Sequence, residues 1–191
     1  MNDHQQTTLS DIGLPVSSTH GLHDIAYNAP SRTLVAVLRS LRFVEPEDLR
    51  VFVRRVDEGA YREVVLPDEL ASVSDIVTCS ETSEAYMNVM KWSDASRMSA
   101  SFFGLVRLSL PDGALQRLPE PFDPVDADTR MFVSKLVGPS SGGREVHAIV
   151  GRPIAVAIPP EHGYRMGYFL VTINVETGAL DTISEVPAIV A

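Results

Sequence analysis

The sequence predicts an all-β chain made of three four-stranded antiparallel repeats. Three observations carry that prediction. From Leu22 onward, short apolar runs rich in Val, Ile, Thr, Phe and Tyr are separated by Pro, Gly, Asp and Ser, the punctuation of strands and turns. No stretch keeps a helical stripe over about 11 residues. Finally, one sixteen-residue phrase occurs three times without a gap: "LRVFVRRVDEGAYREV" (49–64), "FGLVRLSLPDGALQRL" (103–118) and "YFLVTINVETGALDTI" (168–183).

Each copy has eight strand-like residues, a two-residue lead and then Gly-Ala, at Gly59, Gly113 and Gly178. The expected element is a hairpin whose glycine takes a positive φ, which costs nothing without a Cβ. Val56, Leu110 and Val175 share the eighth position, and Val64, Leu118 and Ile183 follow their glycines by five residues. "EPEDLRVFVRRVDEG" has the Pro and acids of a helix start, but its β-branched "VFVRRV" and the repeat assign it to strand.

Ahead of each hairpin a looser pattern recurs. "LHDIAYNAPSRTLVAVLRSL" (22–41), "VSDIVTCSETSEAYMNVMKW" (73–92) and "MFVSKLVGPSSGGREVHAIVGR" (131–152) each read as strand, turn, strand. The units then run near 22–66, 73–119 and 130–184, joined by "PDELAS" and "PEPFDPVDADT". Residues 1–20 read as a polar tail with a short strand near Leu14–Val16, and 21–191 as one all-β domain. The extra length of unit three, "PIAVAIPPEHGYRMG" (153–167), reads as a surface loop from its prolines and glycines.

Four antiparallel strands every 40–50 residues or so is the unit of a propeller blade. The strand–DG–AL–strand ends at 103–118 and 168–183 resemble the outer strands of TolB-like and quinoprotein-like propeller blades. The resemblance implies a partial β-propeller-like array; a β-sandwich or barrel is the alternative fold. It implies turns and strands, not an active site. Three blades leave two open faces, so two chains closing a six-bladed ring, completion by another protein, and a compact three-sheet monomer are the outcomes to distinguish.

The formal charge of −9 argues against nucleic acid or an anionic membrane as partner, even with Arg50, Arg54 and Arg55 clustered. A single cysteine, Cys79, excludes an intramolecular disulfide and a cysteine zinc site; it is expected to be a buried thiol. No apolar span reaches ~18 residues, and the N-terminal residues lack a secretory pattern, so a cytoplasmic location is expected.

The chain has no P-loop, dinucleotide fingerprint, zinc-helix motif or nucleophile elbow. "GPSSGGRE" (138–145) lacks the lysine and helix of a phosphate cradle. His20, His23 and Asp24 sit close enough in sequence to share a metal but read as a tail and first strand. Asp123, Asp126 and Asp128 lack the glycine pivot of a calcium loop. Neither cofactor nor metal is expected. Binding residues are placed where the repeats differ: Trp92 and Arg97 in the 91–102 insertion, and His162, Tyr164 and Arg165 in the 153–167 insertion, since exposed aromatics with arginine are the composition of binding hot spots. The expected function is a non-enzymatic protein-interaction or ligand-binding module, with self-association as a homodimer or another protein as partner. The alternative is a propeller-type hydrolase or lyase using His23, Asp24, Asp75 and His147; Asp24 and Asp75 open units one and two alike, with Val133 or Ser134 near that place in unit three.

Overall fold

The computed structural model describes residues 13–14, 16–17, 19–40, 49–68, 70–92, 100–119, 132–140, 142–158 and 161–186. The first sheet holds β1 (His20–Asn28), β2 (Thr33–Ser40), β3 (Leu49–Arg55) and β4 (Arg62–Val64). The second holds β5 (Leu70–Thr78), β6 (Glu84–Trp92), β7 (Ala100–Ser109) and β8 (Ala114–Arg117). The third holds β9 (Phe132–Pro139), β10 (Glu145–Ile158), β11 (Glu161–Asn174) and β12 (Leu180–Val186). Each sheet is a four-stranded antiparallel meander in chain order and none closes into a barrel, so the chain is a partial, propeller-like array of three blades.

Sheet 2 is the middle layer. On β6, Ala85, Met87 and Val89 join Val35, Val37, Val51 and Val53 of sheet 1 in one core. Tyr86 of the same strand faces the other way, joining Val146, Ala148, Val150, Val171 and Ile173 of sheet 3 in a second core. Period-two alternation with both faces buried explains why β6 reads as a nearly continuous apolar run.

The repeat holds at the level of single hydrogen bonds. The eighth-position amides of Val56, Leu110 and Val175 donate to the carbonyls of Arg32, Ser83 and Arg144 at 2.8, 2.8 and 3.0 Å. Each acceptor immediately precedes the second strand of its sheet. The turns diverge, however. Gly113 and Gly178 have φ of 74° and 70°, and their amides donate to Ser109 and Asn174, each at 2.8 Å. Gly59 lacks a positive φ, because that turn closes one residue earlier, with Glu58 donating to Arg55 at 3.0 Å.

Two further expectations change. Residues 153–167 are not a surface loop: β10 and β11 pair continuously from Glu145↔Asn174 to Ile158↔Glu161. Among the described residues no strand flanks this stretch of the hairpin, so the donor that Pro153 lacks breaks no second ladder there. Leu14 and Val16 are not in a strand; Leu14 is buried, and the adjacent Gly13 lies against the Arg54 guanidinium. The acidic run with Asp123, Asp126 and Asp128 lies outside the described residues. Cys79 is buried as expected, and "GPSSGGRE" is the β9–β10 turn. Among the described residues no helix is long and apolar enough to cross a membrane.

Candidate functional site

The first strand of every sheet carries one bulge at the same place. It falls at His23 in β1, Ser74 in β5 and Ser134 in β9, with Leu22, Val73 and Val133 before it paired to Leu38, Val89 and Val150. After the bulge, Asp24 pairs with Val37, Asp75 with Asn88 and Lys135 with Ile149. The unit-three counterpart of the repeated aspartates is therefore Lys135, not Val133 or Ser134. A second irregularity, at Val137, lies between the pairs His147↔Gly138 and Ala148↔Leu136.

The two aspartates link blades. Asp24 Oδ2 accepts the amide of Ile76 at 3.2 Å, and Asp75 Oδ2 accepts the amide of Leu136 at 3.2 Å. These amides point away from their own sheets, and a carboxylate reaching across satisfies them. Asp24 Oδ1 also accepts the amide of Ile25 at 2.8 Å. Buried Asn28 ties the first turn to the second sheet, donating to the carbonyls of Cys79 at 2.7 Å and Thr82 at 2.8 Å. Between sheets 2 and 3, Asn88 donates to the Val133 carbonyl at 2.9 Å and Tyr86 Oη to the Gly143 carbonyl at 3.0 Å. Burial, with Glu84 beside it, pushes the Tyr86 phenol far above its usual range.

The candidate enzyme residues do not converge. Asp24 lies between sheets 1 and 2 and Asp75 between sheets 2 and 3, each held by a backbone amide. His23 is an exposed bulge residue. His147 sits on the face of sheet 3 turned away from sheet 2, its Nδ1 3.2 Å from Thr172 Oγ1. His20 Nδ1 meets Thr19 Oγ1 at 2.9 Å. Among the described residues no three His, Cys, Asp or Glu side chains form a metal-sized group.

The candidate binding residues fall between the second and third strands of sheets 2 and 3. Trp92 ends β6, its backbone opposite Ala100, and Arg97 lies outside the described residues in the connection that follows. His162, Tyr164 and Arg165 are in β11, opposite Ala157, Ala155 and Ile154. Both groups belong to the link between the second and third strands of a blade. The side chains of Trp92, His162 and Tyr164 are outside the described set. Arg165 is exposed, with an ion pair to Glu185 at 3.4 Å.

What sequence reasoning missed is the shape of this region. β9 pairs with β10 only as far as Gly151, and β12 with β11 only from Tyr168. Among the described residues, 152–158 and 161–167 therefore pair with each other alone, as a two-stranded ribbon about 20 Å long. Its base is fixed by the Arg152 guanidinium, 4.2 Å from the Phe169 ring centroid, and by Ile154 crossing over Gly167. The apolar alternation of "PIAVAI" was the available signal for a strand. Compared with known proteins, the chain matches no family model and no curated protein.

Proposed function

We propose that the chain is a non-enzymatic protein-interaction module whose docking element is the β10–β11 ribbon. The observation that carries this reading is the pair of strand edges, along residues 152–158 and 161–167, that no other described residue pairs with. A two-stranded ribbon is marginally stable alone, and open edges are templates for strand addition by a partner. The acidic overall charge supports a protein partner over nucleic acid or an anionic membrane. The recurrent strand–turn–strand phrase supports kinship with TolB-like and quinoprotein-like blades, and a lone buried thiol supports a reducing compartment such as the cytoplasm.

The test places a photo-reactive side chain at Arg165, with Glu176 on an exposed turn as the control site. The expected result is one dominant protein adduct from position 165 in cells. The same protein, purified, should bind the chain, and binding should be lost when residues 155–164 are replaced by Asn-Gly. Equal adducts from both sites, retained binding by the shortened ribbon, or turnover of a small substrate lost on Asp75 or His147 substitution would overturn the reading.

A further inference from the structure

The two end faces of the array are not alike. Sheet 1 has no preceding blade, yet Ala36, Leu38 and Phe52 on that face are 0%, 0% and 6% exposed within the single chain. Sheet 3 has no following blade, and its equivalent face is open. Val137 is 55% exposed, and Phe132, Ile149 and Leu170 are only partly buried. The tip of the Phe132 ring lies over Gly151 there, its Cζ 2.6 Å from where a Cβ would stand. In this face, at the position where Asp24 and Asp75 reach across to the next blade, stands the exposed Lys135. A lysine has no acceptor, so whatever covers sheet 3 must bring the acceptor itself.

We propose that the occupant is sheet 3 of a second copy, docked face to face about a two-fold axis running along the strands. Head-to-tail closure would bring sheet 3 onto the face of sheet 1, which is already covered. A two-fold axis across the strands would set β9 on its own copy and oppose Lys135 to Lys135, a repulsive pair. The axis along the strands instead sets β9 over β12 of the other copy. β12 presents exposed Asp181 on this face, paired with Thr172 two residues from the Lys135 row. Both Lys135–Asp181 pairs then form by symmetry. Four strands by about 20 Å give a footprint of roughly 400 Å² a side, or about 800 Å² in total, below the usual range of stable complexes, so the dimer is weak and is sought at high concentration. This proposal stands on the blade faces and not on the ribbon.

The test is sedimentation equilibrium of the full chain at about 100 µM. The expected mass is twice 20.8 kDa, with Lys135→Glu and Asp181→Lys each weakening the dimer about tenfold or more. The Lys135→Glu/Asp181→Lys double variant should recover it, which misfolding could not mimic. A monomeric wild type, or a dimer indifferent to both single reversals, or no recovery in the double variant while all variants melt alike, would overturn the proposal.

Discussion

Asp75 shows how one side chain decides whether two blades stay together. Its Oδ2 is 3.2 Å from the Leu136 amide, an edge donor with no strand beyond it. Asp75→Leu leaves that amide unsatisfied and should cost about 1–3 kcal/mol. Asp75→Asn keeps an acceptor oxygen and should cost about 1 kcal/mol or less. Urea titration of the three proteins checks the order; equal losses would show that the carboxylate acts by charge or packing rather than by accepting that bond. The sequence marks "HDI" and "SDI" as equivalent, because each follows an apolar residue, Leu22 or Val73, and leads into a strand-ending turn. It hides their purpose, since the bonded amides lie 52 and 61 residues away. Lys135 was legible in the gapless match of Val133-Ser134-Lys135-Leu136 to Val73-Ser74-Asp75-Ile76; counting the third unit from Met131 instead places the position two residues early.

At the scale of the element, the hairpin phrase was legible because its turn chemistry is local. Eight alternating residues and a Gly-Ala fix strand and turn with nothing from the rest of the chain. The limit is also local. Gly113 and Gly178 need φ > 0, whereas Gly59 sits in a turn that closes at Glu58. Gly113→Ala and Gly178→Ala should each lose about 1–2 kcal/mol, and Gly113→Ala more, because its new Cβ would stand 3.3 Å from Val64 Cγ2. Gly59→Ala has open space around it and should be neutral or stabilise by about 0.4–1 kcal/mol through the unfolded chain. Thermal melts of the three variants separate these outcomes, and a Gly59→Ala loss matching the others would restore a common turn. The ribbon was misread because prolines and glycines signal loops, whereas here they stand in two strands that pair continuously from Glu145↔Asn174 to Ile158↔Glu161.

For the whole molecule, the question is whether three blades behave as one folding unit. Sheet 2 gives one face to each core, and β7 carries both sides of that bargain. Leu108, 0% exposed, packs toward sheet 1, and Leu105, 2% exposed, packs toward sheet 3. If either core opened alone, it would expose one face of sheet 2 and strip the carboxylate and amide links across that face. Such a half-open state leaves an apolar sheet in water while keeping most of the ordering cost of the strands. Cooperative unfolding is therefore expected, with no populated intermediate. Leu105→Ala and Leu108→Ala should each lower stability by about 2–5 kcal/mol and shift the same single transition, with the denaturant slope unchanged. Far-ultraviolet circular dichroism and the fluorescence of the sole tryptophan, Trp92, should report one coincident curve for each protein. Two resolved transitions, with Leu108→Ala moving one and Leu105→Ala the other, would show instead that the cores are independent and that the inter-blade hydrogen bonds do not couple them.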